Sequence, residues 1–252
     1  MIYDLQKASL LKRFSAFLLD FILICIVAVG FAALISRIVN FDAKFKQFDE
    51  YMTKYGEEFG VDLKNAIPDD ASQEYKDNYN QANEALAKDK DAMKLYATII
   101  NLVFMMVSIG LLLSFIIFEF ILPIILKNGR TIGKKIFQVG VMQINGVKIN
   151  TFALFARAIL GKYTVETMVP ILILGLILLG RGTVVVVIVL FALIIMQLVL
   201  LIATKTNSLI HDVLSSTVVV DMATQMIFNS KEEMIEYKEQ VHLAEVEKAE
   251  YK

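Results

Sequence analysis

Two carboxylates in this chain stand inside long apolar runs. Asp20 is the only acid in residues 14–38, and Glu119 is the only charged residue in 95–126. A carboxylate at the centre of a membrane-crossing helix costs about 2.5–3.5 kcal/mol to insert, so such residues are rare unless paired, neutralised or functional. Asp20 lies seven residues beyond Arg13, a rise of ~10.5 Å. Glu119 lies eight residues before Lys127 on a helix running the other way, a rise of ~12 Å. The spacing predicts that the two acids share a layer. Three readings suit such a layer. One is polar glue that holds helices in register. Another is a proton or cation site in which desolvation and mutual repulsion push the two pKa values apart, so that a proton exchanges for a cation. In the third, Asp20 neutralises Arg13 through water.

Other chemistry is poorly provided for. The chain has no Gly-x-x-x-x-Gly-Lys-Ser/Thr, no Gly-x-Ser-x-Gly and no His-Glu-x-x-His. Its single Cys25 has no partner, and His211 and His242 lie too far apart for a local zinc site. An enzyme, a resident cofactor and a bound metal are therefore not expected. The loop Gly129-Arg130-Thr131-Ile132-Gly133-Lys134-Lys135 has two readings. Arg130, Lys134 and Lys135, with Arg157, are candidates for attracting anionic headgroups, at about 1 kcal/mol per basic residue near the surface. The plainer reading is a basic loop that fixes topology, with glycines for turns.

The elements that must position these groups follow from composition. Of 252 residues, 57% are hydrophobic and the formal net charge is −1, which excludes disorder, collagen and any general case for nucleic acid. Residues 14–38 and 95–126 are each long enough to cross a ~30 Å hydrocarbon core. Residues 168–203 carry one charge, Arg181, between Gly180 and Gly182, so they divide at a turn into two further spans. A cleaved signal peptide is the competing reading of the first span, but that run is longer than an h-region and lacks a small-x-small site.

Seven basic residues and no acid between Lys127 and Lys162 place that loop in the cytoplasm. Lys7, Lys12 and Arg13 agree, and an even number of spans puts both termini there. The segments expected are 1–38, the N-terminus and first span; 39–94, an extracytoplasmic helical hairpin; and 95–126, the second span. They continue with 127–151, a basic loop with a β-hairpin; 152–203, an interfacial segment and the last two spans; and 204–252, an acidic tail.

In the outer segment Phe41, Phe45, Phe48, Met52, Tyr55 and Phe59 recur at helical spacing. The stripe either closes the hairpin on itself or faces a partner or headgroups. Val139, Val141 and Gln143 alternate before Asn145-Gly146, and Val147 and Ile149 after it, which predicts a β-hairpin. Residues 217–221 are β-prone and could pair with it.

Several of these stretches, in order, resemble the RDD family of membrane proteins. They are residues 13–20 (Arg-Phe-Ser-Ala-Phe-Leu-Leu-Asp), the Gly129–Lys135 loop with its β-like continuation, Arg157, and residues 211–219 (His-Asp-Val-Leu-Ser-Ser-Thr-Val-Val). The family is named for one Arg and two Asp. The resemblance implies that Arg13 and Asp20 are its Arg and first Asp, and that Asp212 is the second. By topology Arg13, Asp212 and His211 then gather at the cytoplasmic face, where an exposed Arg13–Asp212 clamp is worth roughly 0–1 kcal/mol. The outer hairpin and tail look like additions to the family pattern, and Glu119 is not one of its naming residues.

The fold class expected is all-α: a polytopic bundle of four transmembrane helices with an outer helical hairpin and a small cytoplasmic β-hairpin, in the cell membrane. Two functions are expected to compete. One is a secondary transporter exchanging a monovalent cation for a proton through Asp20 and Glu119. The other is a scaffold that binds a membrane partner through the outer hairpin and tail. Four spans are few for a monomeric carrier, so a homo-oligomer goes with the first reading.

Overall fold

The computed structural model describes residues 5–250, except the side chains of Glu245 and residues 247–250. The order is α1 (Leu10–Ile38), α2 (Phe41–Phe59), α3 (Gln73–Lys88), α4 (Lys90–Leu126), α5 (Ile132–Ile136), β1 (Val139–Gln143) and α6 (Thr151–Leu178). It ends with α7 (Val184–Ala203), α8 (Ile210–Leu214), β2 (Thr217–Asp221) and α9 (Lys231–Glu250). Four helices, α1, α4, α6 and α7, are long and apolar enough to cross a membrane. The chain is an all-α multi-pass membrane protein with a small antiparallel sheet. It divides into two compact units, Ala28–Gly110 and the remainder, Met1–Val27 with Leu111–Lys252.

In the first of these, Phe48, Met52, Tyr55 and Phe59 pack on Leu63, Ala82, Leu86 and Ala92, so most of the aromatic stripe closes the hairpin on itself. Phe41 and Phe45 stack on each other, and Phe45 stays half exposed. Gly56 permits the closure, because a Cβ there would lie 2.6 Å from the Val61 carbonyl. Gly60 ends α2 at φ 67, and Ser72 caps α3 by accepting the Tyr75 N–H. α4 begins at Lys90, before the apolar run, because Asp89 accepts the backbone N–H groups of Asp91 and Ala92. α1 and α4 approach closely where Gly110 faces the Ala28 carbonyl.

In the second unit β1 pairs antiparallel with β2, from Val139 opposite Asp221 to Gln143 opposite Thr217. Residues 6–8 lie along the free edge of β2. Ala8 N–H donates to the Val219 carbonyl at 3.2 Å, and Asp221 N–H donates to the Gln6 carbonyl at 2.9 Å. The Asn145-Gly146 turn forms, with Gly146 at φ 87 and Gln143 N–H donating to the Val147 carbonyl. Its return arm reaches only a single bridge, between Met142 and Lys148. Two causes are local. Lys148 N–H turns to the Phe228 carbonyl, and Asn150 caps α6 by accepting from Ala153, which draws the chain into a helix. The Val-rich β2 takes the ladder instead, and Met142, Val218 and Val220 bury together. At the turn between α6 and α7, Gly180 adopts φ 69 and Thr183 caps α7.

Candidate functional site

Asp20 is 2% exposed, and the turn after α4 satisfies both its oxygens. Thr131 donates its hydroxyl to one, and Gly133 donates its backbone N–H to the other at 2.8 Å. Thr131 also caps α5, accepting the Lys134 N–H at 3.3 Å. The fit requires glycine at 133, where a Cβ would collide with the Ala16 carbonyl and stand 2.9 Å from the Asp20 carboxyl carbon. Asp20 therefore anchors the turn that carries Lys134.

Lys134 reaches the second acid. Its Nζ lies 3.3 Å from Glu119 Oε2, and Lys162 of α6 pairs with Glu119 Oε1. All three side chains are buried or nearly so, at 5% exposure for Glu119, 9% for Lys134 and 13% for Lys162. Burial pushes the Lys134 ammonium down to about 8, against the opposing pull of Glu119. Asp20 and Glu119 do not bond each other; they are joined indirectly. The residues between them are the short run 131–134, which bonds Asp20 at one end and Glu119 at the other.

Asp212 is 1% exposed. It pairs with Arg157 through Oδ1, with Arg13 through Oδ2 at 3.3 Å, and accepts the Leu209 N–H at 3.0 Å. Arg157 also donates to Thr217 Oγ1 at 2.7 Å, and Arg13 to the Asn207 carbonyl at 2.6 Å. Burial alone would raise the Asp212 carboxyl, but Arg157, His211 and Arg13 outweigh it and hold the group well below the usual carboxylate range. The clamp between Arg13 and Asp212 is therefore an interior one, with Arg157 as a third member, rather than an exposed pair. His211 is buried beside it. Its Nδ1 lies 2.7 Å from Glu166 Oε2, and its Nε2 lies 3.7 Å from Asp212 Oδ2. Burial and the nearby Arg157 push the imidazole below its ordinary value.

The four basic side chains Arg13, Lys134, Arg157 and Lys162 match the four acids Asp20, Glu119, Glu166 and Asp212 in number, with His211 beside them. What gathers them is irregular helix. Glu119 sits in a π-helical stretch of α4, Ile116–Ile121, and Arg157, Lys162 and Glu166 in another of α6, Ala156–Met168. A π-helix holds more residues per turn than the ~3.6 of an α-helix, so positions five and then four apart can stack. Regular α-helical geometry would put Arg157 and Glu166 on opposite sides. Here Arg157 and Glu166 both reach the 210–217 stretch, while Lys162 reaches Glu119. π-Helical turns recur at functional sites in membrane and soluble proteins.

Of the headgroup candidates, Lys134 and Arg157 are buried against internal carboxylates, because those acids would otherwise be left unpaired. Arg130 bonds the Leu126 carbonyl and is partly exposed, and Lys135 is exposed. Sequence reasoning passed over Glu166, although it is the only acid between Glu119 and Asp212. It also read Lys162 only as one basic residue of the loop.

The RDD family model matches residues 7–216, from before α1 to the residue preceding β2. That is most of the chain, and the chain belongs to the RDD family. No curated protein and no solved structure matches it.

Proposed function

We propose that this RDD-family membrane protein is a secondary transporter of the cell membrane that exchanges a monovalent cation for a proton at Glu119. The observation that carries the reading is a carboxylate inside a membrane-capable helix with a lysine ammonium on each oxygen. A lysine that surrenders its proton surrenders its charge. When Lys134 becomes neutral, the carboxylate lacks one of its two positive partners, and a cation of the same charge can take the place. One proton leaves as one cation enters, so the charge of the site is unchanged. The value of about 8 for Lys134 puts that release within a mildly alkaline range. Asp20 has a positioning part, since its oxygens are engaged by Thr131 and Gly133 and it holds the turn bearing Lys134.

The test is flux. The protein is reconstituted in vesicles containing a pH-sensitive dye, and Li⁺, Na⁺ or K⁺ is added outside. Cation-driven proton movement in the wild type, lost in Glu119→Gln, supports the reading; its absence with all three ions rejects it.

A second reading is a scaffold for a membrane partner. It is favoured by α2, α3 and α9, whose described residues present much polar, exposed surface and contribute no side chain to the buried charge network. A stable co-purifying membrane protein in the absence of any flux supports that alternative.

A further inference from the structure

Glu166, His211 and Asp212 form a second titratable group of side chains that the exchange at Glu119 does not itself use. The imidazole stands between two carboxylates. On one side Nδ1 lies 2.9 and 2.7 Å from the two oxygens of Glu166, so Nδ1 carries the hydrogen and donates. Glu166 is fixed in turn, since its Oε1 also accepts the His211 backbone N–H at 3.0 Å. On the other side the Nε2 of a neutral ring is a lone pair, and it faces Asp212 Oδ2 at 3.7 Å. Two acceptors facing one another are completed by a proton between them. Gly161 makes this approach possible, because a Cβ there would lie 2.5 Å from the His211 Cβ and 2.7 Å from its Cα. The groups facing the ring are Glu166 and Arg157 from α6 and Asp212 from α8, its own helix.

We propose that His211 is a proton relay for the exchange, passing a proton between the Asp212 side and Glu166 inside the membrane-crossing α6. The inference rests on the exchange reading above. In the step, Nε2 takes a proton from water or a donor on the Asp212 side, forming an N–H bond and a transient imidazolium. The Nδ1–H bond then breaks and its proton passes to the Glu166 carboxylate. One proton has moved and the imidazole is neutral again in its other tautomer; once Glu166 has handed its proton on, exchange of hydrogen between the two ring nitrogens restores the first tautomer. Glu166 lies four residues from Lys162, the ammonium paired with Glu119, so the relay ends one helical turn from the exchange site.

The chain has two histidines, and His242 lies exposed on α9, which makes a direct measurement simple. Full-length protein labelled with ¹⁵N-histidine is reconstituted in nanodiscs, and both rings are followed by NMR as pH is lowered, with NaCl or choline chloride at equal ionic strength. The proposal expects His211 as the Nδ1–H tautomer at high pH, with a midpoint below the ordinary histidine value that moves when Na⁺ replaces choline. An Nε2–H tautomer, or a midpoint indifferent to Na⁺, Li⁺ and K⁺ alike, overturns it. The second arm is vesicle flux. His211→Gln is expected to lose the acid limb of the wild-type pH profile; wild-type exchange with an unaltered profile in His211→Gln overturns the relay and leaves the Glu119 site standing. No exchange in the wild type overturns both. Should His211→Gln fail to fold, the spectra of the wild type decide the question alone.

Discussion

Asp212→Asn removes one negative charge and leaves the shape of the side chain unchanged, so its effect reads the charge balance of the interior. Asp212 is the shared partner of Arg157 and Arg13, and the Asp212 and Arg157 side chains are 1% and 3% exposed. With the charge gone, one of the two carboxylate oxygens becomes an amide N–H donor, so either Arg157 or Arg13 faces a donor in place of an acceptor, and the Arg157 Nε already has no hydrogen-bond partner among the described residues. Removing one member of a buried pair leaves an uncompensated charge and costs about 3–5 kcal/mol. That is roughly two to four powers of ten in the folding equilibrium. The comparison is Asp221→Asn, whose Lys12 partner is 39% exposed and which is expected to lose about 0–1 kcal/mol. The chain has no Trp, so unfolding by urea in mixed micelles is followed by the circular dichroism of its helices. Arg157→Gln in the Asp212→Asn background is expected to recover most of the loss, because Arg13 retains the Asn207 carbonyl. Equal, small shifts for Asp212→Asn and Asp221→Asn would refute the reasoning. So would a double variant less stable than either single one.

Gly133→Ala is expected to cost about 1–3 kcal/mol by driving a methyl group into the Ala16 carbonyl and the Asp20 carboxyl, and the same unfolding measurement checks it. Gly161→Ala is expected to shift the His211 ring signals in the labelled protein, since its methyl group meets the His211 Cα and Cβ; unchanged signals would show that the close approach does not hold the ring. Asp221 has a lowered pKa because Lys12 and the Ala223 N–H bond its carboxylate. Its contribution to stability is therefore complete above the ordinary aspartate range and is lost as pH falls through the lowered value. Acid titration of Asp221→Asn should show a shallower final limb than the wild type. Glu119→Gln should abolish cation-driven proton movement in vesicles at every pH, whereas a profile like that of the wild type would remove Glu119 from the exchange.

The spans were legible in the sequence because length and hydropathy suffice to identify them, and the turn at Gly180-Arg181-Gly182 because its residues admit little else. The need of Asp20 and Glu119 for polar partners followed from their places inside apolar runs. Their partners did not. Lys134 and Lys162 lie 15 and 43 residues from Glu119, and a basic residue between spans reads as topology until the fold turns it inward. The grouping of Arg157, Lys162 and Glu166 was hidden for another reason: the sequence was read with an α-helical period, and π-helical stretches obey a different one. The sheet shows a competition that local signals cannot rank, because Asn145-Gly146 favours its own return arm while β2, far along the chain, makes the longer ladder.

The strip of backbone at residues 6–8, hydrogen-bonded along β2, joins the lead-in to α1 to a strand that follows α7. During synthesis the leading strip emerges long before its partner exists, so α1 must enter the bilayer with its own lead-in unattached. Contacts of such sequence separation are the slow ones in folding. Assembly of the charged interior accordingly finishes only when the translating ribosome has delivered Thr217 at the start of β2, and a nascent chain halted before α8 holds Arg13 without its Asp212 clamp.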